Sequence, residues 1–261
     1  AFAAVMKKKR CLFVLMPELP EVEVTRMGLA PFVEGKVLRK AVIRVKRLRS
    51  PVGELAQKLD AKTVLQLSRR GKYLVWHFVD AQGVKGWLVT HLGMSGYWRV
   101  WQLPAPEPGV HEHVDFVFDD CLVRLTDVRR FGDMRWFDDD PFGQKPLADL
   151  GWEPFDANVT AEMFARAMRA KRRPVKEVLM AGDVVVGCGN IYSSESLFLA
   201  GIHPARTASR ISEKRLSALF GAIQSVLSQA IDAGGSTLRD FHGVDGVDGY
   251  FALRTNVYGR E

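Results

Sequence analysis

The sequence predicts an α+β protein in which a β-sandwich or barrel comes first and a helical domain follows. Three observations carry this reading. Between Val37 and Phe137 the apolar residues fall in short β-branched and aromatic runs separated by Gly, Pro and Asp, as strands require. Beyond residue 160 the period becomes helical. Between the two lies a stretch rich in Asp, Pro and Gly, Asp138 to Pro154.

The first element predicted is a short helix that begins near Pro20, a tolerated first-turn position, and ends near Gly28. Strands are expected over Val37–Val45, Thr63–Ser68, Tyr73–Val79, Trp87–His91, Val114–Phe118 and Leu122–Thr126. Thr160–Ala170 and Val175–Ala181 read as short helices, and Asn190 as the N-cap of a helix through Ala200. Ser212 reads as the cap of a long helix that stops at Gly234-Gly235. Within it Leu216, Leu219, Phe220, Ile223, Val226, Leu227 and Ile231 form one i, i+3, i+4, i+7 stripe, which marks them as core. The domains expected are a leader at 1–16, a β-domain at 17–150 and a helical domain at 151–261.

A chain of 261 residues with 47% hydrophobic content can bury a core for one or two domains, and no apolar run approaches a membrane span. Four of the seven surplus positive charges lie at Lys7 to Arg10, so net charge alone argues weakly for nucleic acid. Clustering argues more strongly. Lys36, Arg39, Lys40, Arg44, Lys46, Arg47 and Arg49 occur without an intervening acid, and Arg169, Lys171, Arg172, Arg173 and Lys176 form a second group. Such patches attract phosphates by releasing condensed counterions. Cys11, Cys121 and Cys188 lack the spacing of a metal or redox motif, which makes a reducing, cytoplasmic setting the default. His111-Glu112-His113 has no further ligands at useful spacing and reads as non-metallic.

The segment richest in chemistry is Met16-Pro17-Glu18-Leu19-Pro20-Glu21-Val22-Glu23. With Met16 removed, Pro17 becomes an N-terminal secondary amine that can attack an aldehyde-like carbon to give an iminium ion. Such an amine titrates near ~8, so an appreciable fraction is neutral at physiological pH. An amide-bonded proline has no such lone pair, and fifteen residues precede Met16. Four cations followed by only six apolar residues, with no small-residue cleavage site, do not make a secretory signal. The leader is therefore expected to be upstream sequence outside the mature protein.

Seven motifs occur in order: Pro-Glu-Leu-Pro-Glu-Val-Glu at 17–23, Arg-Arg-Gly-Lys-Tyr-Leu at 69–74, His-Leu-Gly-Met-Ser-Gly at 91–96, Arg-Arg-Phe-Gly at 129–132, Gly-Asn-Ile-Tyr at 189–192, Gly-Gly-Ser-Thr-Leu-Arg-Asp-Phe at 234–241 and Val-Tyr-Gly-Arg at 257–260. Through them the chain resembles the bacterial formamidopyrimidine-DNA glycosylases from Pro17 to Glu261. The resemblance implies a two-layered β-sandwich followed by a helical domain with a helix–two-turns–helix motif, and double-stranded DNA in the cleft between them. It implies excision of oxidised purines and nicking of the resulting abasic site. Pro17 would attack C1′ of the damaged nucleotide, Glu18 would protonate the sugar ring oxygen, and Glu21 would support the pocket. Lys72 would donate a proton during β-elimination and reach a phosphate.

Excision from a duplex requires the nucleotide to leave the stack. The resemblance makes Met94, Arg129 and Phe131 the residues that fill the hole and hold the orphaned base. His91, His111, Lys171, Lys176, Asn190 and Tyr258 correspond to DNA contacts, mostly to phosphates, and for Asn190 a helix N-terminus would add an anion site. The segment Gly234 to Phe251 matches a loop that closes over extruded 8-oxoguanine. That loop and Leu19 favour the purine branch over the endonuclease VIII-like, pyrimidine-specific branch. A non-catalytic damaged-DNA-binding protein of the same fold is the alternative of a different class. The family carries one zinc ion in a four-cysteine finger after Val-Tyr-Gly-Arg. The sequence ends at Glu261 and its three cysteines cannot build that finger, so no zinc is expected in this chain. A monomeric, cytoplasmic, nucleoid-associated enzyme without a membrane role is the expectation.

Overall fold

The computed structural model describes residues 16–234 and 255–258. The first helix, α1 (Leu19–Val33), runs past Gly28 and through Pro31. Its continuation corrects the predicted stop. Leu29 and Val33 extend its buried stripe into the sandwich core, and that burial outweighs the weak intrinsic preference of Gly and Pro.

Two four-stranded antiparallel sheets follow, with orders β1-β6-β7-β5 and β2-β3-β4-β8. The strands are β1 (Lys40–Ile43), β2 (Thr63–Arg70), β3 (Tyr73–Val79), β4 (Lys85–His91), β5 (Gly96–Gln102), β6 (Glu112–Val117), β7 (Cys121–Asp127) and β8 (Asp133–Phe137), with a one-turn helix α2 (Leu55–Leu59) after β1. The sheets face each other, so the N-terminal domain is a sandwich. Trp76 of β3 meets Trp98 of β5 and Phe116 of β6 at ring-centroid distances of 5.5 and 5.3 Å, joining the two layers. Neither β5 nor β8 is among the strands expected above. The interior charges Arg99 and Arg135 mask both, and pairing of β5 with β7 and of β8 with β4 overrides that local signal.

The helical domain comprises α3 (Ala161–Arg169), α4 (Val175–Ala181), α5 (Asn190–Leu199) and α6 (Glu213–Asp232). Thr160 caps α3 by accepting the Met163 N–H at 3.2 Å. Ser212 occupies the N-cap position of α6, but its hydroxyl makes no cap hydrogen bond. The stripe of α6 is core as expected, with Phe220 stacked on Phe164 at 5.0 Å. Gly234, at φ +82°, takes the left-handed turn that ends this helix. No helix among the described residues is long and apolar enough to cross a membrane.

One helix serves both domains. Leu19 is buried in the helical-domain core and its N–H donates to the Gly187 carbonyl at 3.1 Å, while Val22, Leu29 and Val33 of the same helix are buried in the sandwich. The N-terminal peptide is thereby fixed at the junction.

Candidate active site

Pro17 and Glu18 are buried at that junction. Glu18 precedes α1, and its N–H donates to Glu21 Oε2 at 2.9 Å. Its own carboxylate crosses to the helical domain, where it accepts the N–H groups of Gly189, of Ile191 at 2.9 Å and of Tyr192 at 3.4 Å. Glu18 therefore caps α5 from the other domain. This corrects the expectation that Asn190 is the cap: Asn190 is the first helical residue and its exposed side chain makes no cap bond. The orphan N–H groups of a helix start need an acceptor, and a carboxylate there also meets the positive end of the dipole.

Burial pushes the Glu18 carboxyl above its ordinary range, against the lowering pull of the Lys72 ammonium and the Ile191 N–H. Lys72 lies in the β2–β3 turn, against the same spot. A Cβ placed on Gly189 would fall 2.5 Å from Glu18 Cδ and 2.8 Å from Lys72 Nζ. Lysine can swing aside, but the buried carboxylate cannot. Gly189→Ala is expected to lower turnover at least about tenfold, with a stability cost of about 1–3 kcal/mol from overpacking, checked by single-turnover kinetics and thermal melting.

Side chains that the sequence did not single out hold these groups in place. Glu153, between the domains, accepts the Gly71 N–H at 2.6 Å and the Arg70 and Arg69 guanidiniums at 3.0 and 2.8 Å, fixing the turn that carries Lys72. Arg69 also donates to Glu23 of α1 at 2.8 Å. Burial opposes ionisation of Glu23, yet the hydrogen bonds from Arg26 and Arg69 hold its carboxyl below the ordinary range. The Tyr192 hydroxyl donates to Glu21 Oε1 at 2.6 Å. Glu21 is both a first-turn helix acid and a bridge between Tyr192 and the Glu18 backbone. No local pattern marks Glu153, 82 residues from its partner Gly71. Gly-Asn-Ile-Tyr did contain Tyr192, without indicating what its hydroxyl does.

A second group of the expected residues converges along α5. Lys176, Asn190 and Tyr258 line one pocket of about 520 Å³, together with Ser194, Phe198 and Val257. Glu195, also overlooked in the sequence, anchors this end by accepting the N–H groups of Asn256, Val257 and Tyr258 at 2.7, 3.0 and 2.9 Å. Burial works against the Glu195 anion, but those three N–H groups keep its carboxyl below the ordinary range. Lys171 is not in this pocket and pairs with Asp183 at 2.7 Å.

The third group lies at the end of the sandwich. Met94 sits in the β4–β5 loop, and exposed Arg129 and Phe131 sit in the β7–β8 loop, with the Arg129 guanidinium 4.8 Å from the Phe131 ring centre. A pocket of about 500 Å³ joins Met94 and Phe131 to Met16, Arg49, His91 and Arg130, so the N-terminal peptide opens towards these loops. His91 accepts the Gly93 N–H on Nδ1 at 2.9 Å. Burial, with Lys72 and Arg49 adding to it, pushes its pKa down to about 4. The ring is neutral at physiological pH, with its proton on Nε2 as a hydrogen-bond donor. His111 is exposed just before β6.

The basic run from Lys36 to Arg49 is less open than its sequence suggests. Lys36, Arg39 and Arg44 pair with Asp120, Asp119 and Asp115, which the β6–β7 hairpin brings alongside. Among the described residues no group of three or more His, Cys, Asp or Glu side chains could hold a metal ion, and burial pushes the Cys121 and Cys188 thiols up to about 11 and 12. The segment expected to close over an extruded base lies outside the described residues from residue 235 onward.

A buried carboxylate and an adjacent lysine thus lie where the sandwich meets the helical domain, and loops at the end of the sandwich carry an exposed aromatic and cation. Residues 16–134 match the formamidopyrimidine-DNA glycosylase N-terminal domain and residues 150–242 match the H2TH domain of the same family. The formamidopyrimidine-DNA glycosylase of Burkholderia thailandensis is 47% identical over 251 residues, covering 94% of this chain and 89% of that protein. The crystal structure of the MutM (Fpg) protein of Thermus thermophilus is similar with a TM-score of 0.81 and 34% identity, covering 94% of this chain and 88% of that one. The Lactococcus lactis Fpg in complex with DNA containing an abasic site has a TM-score of 0.78 and 32% identity, covering 85% and 81%. The chain belongs to the formamidopyrimidine-DNA glycosylase family.

Proposed function

We propose that this protein excises oxidised purines, 8-oxoguanine and formamidopyrimidines, from duplex DNA and then cleaves the strand at the abasic site. The nitrogen of an N-terminal Pro17 attacks C1′, the bond from C1′ to the base breaks, and the base leaves with a proton. Opening of the sugar sends the C1′–O4′ electron pair to the ring oxygen, which Glu18 protonates, leaving an iminium link between Pro17 and the sugar. Loss of a C2′ proton then expels the 3′ phosphate, a second elimination expels the 5′ phosphate, and hydrolysis frees the amine. Lys72 supplies a proton and a phosphate contact.

The observation that carries this reading is the Glu18 carboxyl, buried beside Pro17 and Lys72 with its pKa raised, the direction that suits a proton donor. Support comes from Lactococcus lactis Fpg, whose solved complexes include abasic-site DNA and Fapy-dG DNA. Met94, Arg129 and Phe131 enter the duplex when the nucleotide leaves it, and His91, His111, Lys171, Lys176, Asn190 and Tyr258 meet phosphates. The protein acts as a monomer in the cytoplasm, on the nucleoid. The test is excision by a chain that begins at Pro17, on matched duplexes carrying 8-oxoguanine opposite cytosine or thymine glycol opposite adenine. Faster cleavage of the first is expected. Preference for thymine glycol would place the protein in the pyrimidine branch, and binding without cleavage of either would make it a damaged-DNA-binding protein.

A further inference from the structure

We propose that Ser95 and Asp127 are positioning residues that rivet two loops into one preformed wedge, so that Met94, Arg129 and Phe131 enter the duplex as a unit. The proposal rests on the reading that these three side chains fill the space left by the extruded nucleotide. Each loop joins strands of different sheets. The β4–β5 loop, with Met94, crosses from the second sheet to the first, and the β7–β8 loop, with Arg129 and Phe131, crosses back. Strand pairing sets the ends of the two loops side by side, His91 opposite Asp133 and Gly96 opposite Asp127, but it does not itself tie the segments carrying Met94, Arg129 and Phe131 to each other.

Their side chains and backbones do. Asp127, fully buried at the end of β7, accepts the Ser95 hydroxyl on Oδ1 at 2.6 Å and the Gly132 N–H on Oδ2 at 2.8 Å. Ser95 Oγ in turn accepts the Arg129 N–H at 3.0 Å. The Asp127 carbonyl takes the Arg130 N–H at 3.3 Å and a hydrogen bond from His113 Nε2 at 2.9 Å. The backbones also touch: a Cβ on Gly93 would fall 2.4 Å from the Phe131 carbonyl carbon, at a φ of +66°. Every wedge residue thus lies within one position of an atom fixed by this network. Loops ordered only on binding would subtract their lost freedom from the affinity for a distorted duplex, and a preformed wedge avoids that cost.

The test compares the full chain with Ser95→Ala and Asp127→Asn, using a duplex with a stable tetrahydrofuran abasic analogue opposite 2-aminopurine, the undamaged duplex, and the single strand bearing the same analogue. No bond is cleaved, so the readout is independent of the N-terminal amine. Ser95→Ala is expected to reduce the preference for the analogue duplex over the undamaged one about tenfold, the usual order for lost buried hydrogen bonds. It should also diminish the 2-aminopurine signal while leaving single-strand affinity unchanged, because a single strand has no void to fill. Asp127→Asn should do the same, and Ser95→Thr, which keeps the hydroxyl, should restore the preference. Equal losses on duplex and single strand would reduce the rivet to a general folding role and overturn the proposal. Phe131→Ala separates the two readings. If it lowers duplex preference and Ser95→Ala does not, the rivet alone is wrong; if neither does, the wedge reading fails and the rivet with it.

Discussion

A chain that begins at Pro17 is expected to form a borohydride-trapped covalent complex with duplex DNA carrying 8-oxoguanine opposite cytosine, and the chain with residues 1–16 in place is not. The difference should be on the order of 10³-fold or more, the scale seen when a nucleophile is removed outright. In the longer chain the Pro17 nitrogen is an amide, its lone pair delocalised into the Met16 carbonyl. Freed, it is a secondary amine whose pKa lies near ~8 and whose condensation product is a charged iminium with no N–H left to lose. Its surroundings are set for this: Pro17 is buried, Met16 lines the pocket that reaches Met94 and Phe131, and the Glu18 carboxyl lies in the next residue. The rival nucleophile is Lys72, the other amine beside Glu18. Equal trapping by the two chains, abolished by Lys72→Ala, would move the chemistry from the terminus to the lysine.

The sequence disclosed the sandwich and the helices because one period of hydrophobicity replaces another, and burial enforces that period wherever a face is closed. It failed where partners from distant elements decide the outcome. The two strands carrying Arg99 and Arg135 form because neighbouring strands need them, and α1 continues through Gly28 and Pro31 because Leu29 and Val33 have a core to enter. The same division holds in the candidate site. Pro17 stands out because its chemistry is local, a proline after a methionine, whereas Glu18 and Lys72 gain their roles through motifs that resemble the family's. Glu153, Tyr192, Glu195, Ser95 and Asp127 do not stand out, since each acts through a hydrogen bond to a distant segment, and a lone acid or hydroxyl in a sequence carries no record of its acceptor or donor. Asn190 shows the reverse error. A good capping residue at a helix start reads as the cap, whereas a carboxylate from the other domain accepts the N–H groups there.

That carboxylate allows catalysis and stability to be separated. Glu18→Gln is expected to lower single-turnover excision of 8-oxoguanine by about 10²–10⁴-fold, the usual contribution of a general acid, because the amide has no proton to give to the opening sugar. A count of hydrogen bonds would also predict a large loss of stability, since three N–H groups at the start of α5 face this side chain and the amide can accept with only one atom. The direction of the pKa shift argues otherwise. A carboxyl whose folded-state pKa lies above its unfolded value contributes stability below the unfolded pKa, near ~4.5, and loses it as the pH rises through the folded pKa. When ionised, the buried group is therefore a net cost that the N–H groups and Lys72 only partly offset, and a neutral isostere removes that cost along with the bonds. The melting temperature of Glu18→Gln at pH 7 should fall by no more than a few degrees, and the dependence of stability on pH above ~4.5 should flatten relative to the parent. Thermal melts from pH 4 to 8 beside the excision rates decide the matter. A collapse of stability at pH 7 would show that the carboxylate serves α5 as a cap first, whereas loss of turnover in a protein that melts almost normally assigns it to the sugar oxygen.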